Sequence, residues 1–222
     1  MRSAPYFKAQ PEEKNDVARR RYDRNAWFFD FMDSFFGKKM DDRKRKLVKK
    51  AAGKVLEVGV GTGASLVHYP KGVDLVGIDI SPKMLARAKS KSCRFAGSSL
   101  SLEIGDVQNL DYPDDSFDMV ITSCVFCSVT DPVQGFREIS RVLKPDGIGL
   151  HLEHVKSKRP AIGGLMDVLN PLIVRMTGAN INRDTVENIR KSGLRMVEEK
   201  NLWFDILKLF KVTKGEMSPE QR

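Results

Sequence analysis

Val55-Leu56-Glu57-Val58-Gly59-Val60-Gly61-Thr62-Gly63 is a short apolar run that breaks into three alternating glycines. With Lys54 before it, the run predicts a strand over 54–58. Glycine at the end of a strand permits a tight turn and lets main chain approach a ligand where a Cβ would stand in the way. The spacing is G-x-G-x-G, with Ala at position 64, and so departs from the dinucleotide-binding G-x-G-x-x-G. Moving outward, Asp74–Asp79 (DLVGID) predicts a second strand. It ends in a carboxylate 20 residues after Gly59, where both hydroxyls of a ribose can be accepted. Leu102–Gly105 predicts a third strand, closing on Gly105-Asp106-Val107, whose carboxylate or amides can read an adenine edge. Three strand ends thus offer one piece each of an adenosyl site, in the crevice at the carboxyl edge of an open α/β sheet.

The rest of the chain continues the rhythm. Ser81-Pro82 predicts a capped helix through Met84, Leu85 and Ala88. Phe117–Thr122 predicts a strand, Asp131-Pro132 opens a helix to Leu143, and Lys144-Pro145-Asp146-Gly147 predicts a turn into a strand over 148–153. This alternation implies a parallel sheet covered on both faces. Asp184–Ser192 predicts a helix stopped by Gly193, and 194–202 with 204–213 predict an antiparallel edge pair, in which Trp203, Phe204, Leu207 and Phe210 are expected to pack. The chain divides into residues 1–50, a basic, aromatic-rich helical lid and membrane-contact segment, and 51–222, the sheet domain. Within the latter, 156–193 forms a substrate-site insertion, with glycine or proline breaks at Gly163-Gly164 and Pro171.

The chain has 222 residues, and its net charge is +9. Residues 1–54 hold 16 Lys and Arg against 8 Asp and Glu, so nearly all the excess lies there. A basic segment seeks phosphate, on nucleic acid or on an anionic membrane surface. Trp27, Phe28, Phe31, Met32 and Phe35 recur at helical spacing as a greasy face, and Arg43-Lys44-Arg45-Lys46 follows. Aromatics beside cations suit a membrane interface, and an accessory helix with a solvated basic face is the plainer alternative. No apolar run approaches the ~18 residues of a membrane span. Three cysteines exclude a disulfide scaffold and point to a reducing, cytoplasmic compartment, and the basic aromatic segment points to peripheral membrane association. Cys124 and Cys127 form C-x-x-C, but with only Cys93 to add, four zinc ligands cannot be assembled; no metal is expected.

Five segments, Glu57–Gly63, Gly77–Leu85, Gly105-Asp106, Asp115–Asp118 and Leu143–Gly147, resemble in order the motif series of class I S-adenosylmethionine (SAM) methyltransferases, over about residues 50–155. The resemblance implies a Rossmann-like α/β fold: a seven-stranded, mostly parallel sheet in the order 3-2-1-4-5-7-6, strand 7 antiparallel, with helices on both faces. It further implies that Glu57, Gly59, Gly61 and Gly63 hold the methionine part of SAM and that Asp79 holds the ribose. Ile80 and Met84 would flank the adenine, Gly105, Asp106 and Val107 would meet its polar edge, and Ser123 and Cys124 would lie beside the methionine. S-adenosylhomocysteine would be the product. Three further segments, Cys124–Val129, Glu153-His154-Val155 and Gly178–Arg183, are similar to a branch that includes bacterial phosphatidylethanolamine N-methyltransferases and membrane-associated thiol methyltransferases. Arg21–Ala26 resembles the segment that folds over the SAM site in phospholipid and quinone methyltransferases, which implies that Tyr22 faces cofactor or substrate.

A sulfonium methyl is already activated, so orientation and exclusion of water supply most of the catalysis. A base is needed only if the acceptor arrives protonated, as an ethanolamine ammonium does. Tyr22 and His154 are the candidate catalytic residues; His151, alternating with His154, reads as structural. Asn180, Asn182 and Arg183 are candidates for a phosphate head group, although Asn180 in a left-handed turn and Asn182 as a helix cap explain the same residues. The leading function is methyl transfer to a lipid or hydrophobic small molecule, phosphatidylethanolamine first, with a thiol or quinone ring as alternatives. An RNA methyltransferase using the basic arm is a further alternative, and nucleic acid is the weaker partner. Ser123-Cys124-Val125-Phe126 lacks the Asn/Asp-Pro-Pro-aromatic element of base N-methyltransferases. A dinucleotide oxidoreductase is disfavoured by the glycine spacing, and a noncatalytic binder of the same fold remains to be told apart by assay.

Overall fold

β1 (Lys54–Val58) is buried along all but its first residue, as a central strand covered on both faces must be. It pairs in parallel with β2 (Asp74–Asp79) and β4 (Phe117–Ser123). The structure, a computed structural model, describes residues 40–215. With β3 (Ser99–Ile104), β5 (Leu143–His154), β6 (Arg195–Trp203) and β7 (Leu207–Thr213), these strands form one sheet in the order β3-β2-β1-β4-β5-β7-β6. β7 is antiparallel to both neighbours. The expected order and the reversed strand are both observed.

Alternation along each strand divides the core into two layers. On one face Leu56, Val58, Val120 and Phe210 meet Phe136 and Ile139 of α3 (Pro132–Val142) and Val186 and Ile189 of α5 (Thr185–Lys191). On the other, Val55, Leu75, Met119 and Ile121 meet Leu85 and Ala88 of α2 (Pro82–Ser90) and Leu47 and Val48 of α1 (residues 40–48). Ser81 caps α2 by accepting from Met84 N, and Asp131 caps α3 by accepting from Gln134 N. Each is followed by proline at the first helical position.

Several boundaries differ from expectation. β3 begins at Ser99, because this edge strand is half-exposed and polar and lacks the apolar signature that marks a buried strand. The expected turn at 144–147 is a bulge inside β5: Phe117 pairs with Leu143, and Met119 with Ile148. No break occurs at Gly163-Gly164 or Pro171, and α4 (Pro160–Thr177) runs through both. Gly163 is needed there for closeness, since a Cβ would lie 2.6 Å from Ser157 O. The left-handed residue ending α4 is Gly178, not Asn180, and the cap of α5 is Asp184, not Asn182. Leu207 and Phe210 pack in the core, whereas Trp203 and Phe204 stand exposed at the β6–β7 tip, where the chain reverses past the edge of the sheet core. The aromatic face at 27–35 lies outside the described residues.

Gly63 shows how tightly the first turn is seated. Its φ is +76°, and an added Cβ would lie 2.9 Å from Ala88 Cα on α2. Gly63→Val combines backbone strain with overpacking against main chain and should destabilise the fold by about 3 kcal/mol. Urea unfolding measures this; an unchanged midpoint would contradict the packing described.

Candidate active site

The turn after β1 is hung from β2. Gly59 N and Val60 N both donate to Ile78 O, at 2.8 and 3.0 Å. Gly61 N donates to Asp79 Oδ2 and Ser81 N to Asp79 Oδ1, each at 2.9 Å. One carboxylate therefore joins the glycine turn to the start of α2. Gly59 has φ +71°, and a Cβ there would meet Val125 Cγ2 at 2.5 Å, so only glycine lets the turn after β1 approach the turn after β4.

These turns wall a cavity at the carboxyl ends of β1–β4. Gly59, Gly61, Asp79, Ile80, Met84, Gly105, Asp106, Val107, Ser123 and Cys124 all line it. Ten of the expected cofactor residues thus come together. Glu57 and Gly63 do not reach the wall. Gly63 packs on α2, and Glu57 points behind the turn, accepting from Ser65 Oγ at 2.9 Å and Tyr69 OH at 3.0 Å. The alternation of β1 turns position 57 onto the α1–α2 face. Sequence reasoning missed Lys44, Thr62, Gln108 and the 128–130 segment, which also line the cavity. Lys44 was pooled with a basic run read as surface, but α1 turns it inward while Arg45 and Lys46 pair with Asp42 outside.

The turn after β4 has its own anchor. Glu153, fully buried in β5, accepts from Thr122 Oγ1 at 2.7 Å and Phe126 N at 3.1 Å. Thr122 in turn accepts from His151 Nδ1 at 3.0 Å, which makes His151 structural as expected. Cys124 takes φ +56° here, its N–H on Leu152 O. Burial pushes the Cys127 thiol up to about 12 and Cys124 also upward, so neither is a ready nucleophile; Cys127 Sγ lies 3.3 Å from Cys124 O.

The other candidates lie elsewhere. Tyr22 is outside the described residues. His154, at the end of β5, does not line the cavity; its Nδ1 is buried without a hydrogen-bond partner, and burial holds its pKa below the ordinary value. Asn180, Asn182 and Arg183 are braces. Asn180 N and Nδ2 donate to Cys127 O, Asn182 Nδ2 to Asp167 Oδ1, and Arg183 Nη2 to Val129 O. Asn180 and Arg183 hold the segment after α4 against 127–130, and Asn182 ties it back to α4. Among the described residues no His, Cys, Asp or Glu group is arranged to hold a metal ion.

A methyltransferase-domain family matches residues 56–150. The chain is 36% identical over 143 residues to a phosphatidylethanolamine N-methyltransferase of Cereibacter sphaeroides, covering 63% of this chain and 68% of that protein. The chain belongs to the class I SAM-dependent methyltransferases. It is also 30% identical over 174 residues to a thiol S-methyltransferase of Rattus norvegicus (72% of this chain, 71% of that protein). A ubiquinone/menaquinone biosynthesis C-methyltransferase of Bdellovibrio bacteriovorus is 31% identical over 159 residues (68% and 67%). Among solved structures, a SAM-dependent methyltransferase of Thermotoga maritima shares the fold at TM-score 0.66 and 18% identity, covering 88% of this chain and 99% of that one.

SAM is the methyl donor of this methyltransferase, and the cavity fits it. A Cβ at Gly61 would meet nothing nearer than Gly59 O at 4.0 Å, so the turn leaves a cradle that any side chain would fill. Ser123 Oγ, on the wall, is buried without a hydrogen-bond partner.

Asp79→Ala removes the clasp on Gly61 and Ser81 as well as the acceptor for a ribose. SAM affinity measured by calorimetry should fall at least about tenfold, a wild-type value contradicting the assignment. A second test concerns pH. Burial raises the Glu57 carboxyl from 4.5 to about 7. The folded state thus holds a proton that the unfolded chain releases, and this contribution is complete below pH 4.5 and lost as pH rises through about 7. Glu153 acts in the same direction and His151, lowered to about 3, in the opposite one, so the wild type must be compared with Glu57→Gln. The unfolding free energy of the variant should gain on wild type by up to about 3 kcal/mol across that window. A pH-independent difference would refute the buried, protonated Glu57.

Proposed function

We propose that this methyltransferase carries the SAM methyl group to the amine of a phosphatidylethanolamine-type lipid at a membrane surface. The observation that carries the reading is the 36% identity to the Cereibacter sphaeroides enzyme. In this reading Asp79 accepts the ribose hydroxyls, Ile80 and Met84 flank the adenine, and the 105–107 turn with Gln108 meets its polar edge. The Gly59–Gly61 turn and Ser123 receive the methionine end, to whose carboxylate Lys44 offers a positive charge. Glu57 and Gly63 serve from behind, by holding the turn in shape. Bound SAM supplies a methyl group on a positively charged sulfur.

The protein's part is to orient the acceptor and exclude water. An alkylammonium has no lone pair, so the acceptor must lose its proton before attack. His154 lies off the cavity wall with its Nδ1 buried, so in this reading Tyr22 is the group that takes that proton. Asn180, Asn182 and Arg183 act in this reading by shaping the acceptor side of the cavity. The basic excess of residues 1–50 draws the enzyme to an anionic surface in a peripheral, cytoplasmic association, with Lys44 excepted because it faces the cavity.

The full chain with methyl-labelled SAM should place label in phosphatidylethanolamine micelles when lipid, small thiols, quinones and RNA are offered in separate arms. Label confined to any other arm would overturn the lipid reading.

A further inference from the structure

α4 turns an apolar face outward. Leu165, Val168, Leu169, Leu172 and Met176 recur at spacings of three and four residues, and all are exposed, Val168 at 76 %. Only Gly163 and Met166 of this helix are buried. At 1.5 Å per residue the stripe is about 17 Å long, a continuous patch and not scattered surface leucines. No described helix is long and apolar enough to cross a membrane, so the stripe suits a helix lying along a surface.

Its position in the fold is specific. α4 leaves the carboxyl end of β5, and the β6–β7 tip stands at the same end, because antiparallel β7 sets Leu207 opposite His154. At that tip Trp203 and Phe204 are exposed, Phe204 at 61 %. Asp205 accepts from Ser157 Oγ and Lys158 N, each at 2.8 Å, and Arg159 lies 5.9 Å from the Phe204 ring centroid, so tip and helix start form one unit. From its middle, α4 is tied through Asn170 and Asn180 to Cys127, next to the 128–130 stretch of the cavity wall. Stripe, aromatic tip and cavity therefore share one end of the sheet.

The charges select the occupant. Lys158, Arg159 and Arg175 are exposed around the stripe. The one acid of the helix, Asp167, is taken up by Lys156 Nζ at 2.7 Å and Asn182 Nδ2 at 3.0 Å. An apolar face rimmed by aromatics and cations complements anionic lipid, whereas a second copy of the chain would bring cations against cations. We propose that α4 and the β6–β7 tip dock on an anionic bilayer, with the stripe among the acyl chains and the cavity at the membrane-facing end. The docking gives the lipid-acceptor reading its geometry, but it is tested without that acceptor.

The test uses the full chain with Cys93→Ser and Val168→Cys, labelled with an environment-sensitive dye, and vesicles of phosphatidylcholine and phosphatidylglycerol lacking phosphatidylethanolamine. The dye should be solvent-exposed in buffer and shift to the blue on vesicles. Val168→Asp and Arg159→Glu, each with a wild-type melting curve, should weaken vesicle binding by about tenfold or more. A dye already blue-shifted without vesicles, which means that the stripe is covered by this chain or a second copy, overturns the proposal. So does wild-type vesicle affinity in Val168→Asp, or binding with no dye shift. Failure of lipid methylation with docking intact would instead indict the acceptor reading alone.

Discussion

The carboxylate of Asp79 is the interaction on which the rest of the site depends. Its two oxygens accept from Gly61 N and Ser81 N, and so fix the glycine turn against the start of α2. Without that clasp two backbone donors would lose their partner, and the turn would lose its register with the second strand. The same carboxylate stands at the cavity wall, so the group that holds the turn also lines the cavity. Positive φ at Gly59 and Gly61 is the conformational condition that makes the clasp reachable.

Behind this wall stand two buried carboxyls, Glu57 and Glu153, one on each face of the sheet. Each is raised to about 7 by burial, and each anchors a turn: Glu57 through Ser65 and Tyr69, Glu153 through Thr122 and Phe126 N. An ionisable group inside an apolar strand is expensive, and it persists where its hydrogen bonds hold irregular backbone. The turn after β4 is such backbone, with Cys124 in the left-handed region and Phe126 stacked on Phe136 at 3.6 Å between centroids. Apart from Asp79, cavity lining and interior support thus fall to different residues, assigned by which way each side chain alternates.

The polar braces and the apolar stripe divide the far side of the cavity in a similar way. Asn180 and Arg183 bond to main-chain carbonyls at Cys127 and Val129, which spends their donors on the wall itself. α4, which they help to position, keeps its apolar residues outward. That distribution runs against burial of apolar surface and marks the face as one made to meet something apolar.

Much of this was legible in the chain itself. Gly59–Gly63, the carboxylates at 79 and 106, and the proline-capped helices are local signals, because turns, caps and strand periodicity depend on near neighbours; they gave the strands and helices, while the sheet order and Ile80, Met84, Ser123 and Cys124 of the cavity wall came from the resemblance of the motif series. Tertiary structure decided what local pattern leaves open. Position 57 faces away from the cavity because β1 alternates, and Lys44 faces into it because α1 packs on the sheet with Leu47 and Val48 inward. Asn180 and Arg183 became braces because carbonyls more than fifty residues earlier in the chain lie within reach. In sequence the α4 region reads as a substrate-site insertion broken at Gly163-Gly164 and Pro171. Its exposure could be known only once the sheet had been assembled, since burial is a relation between elements brought together by the fold and is written in neither of them alone.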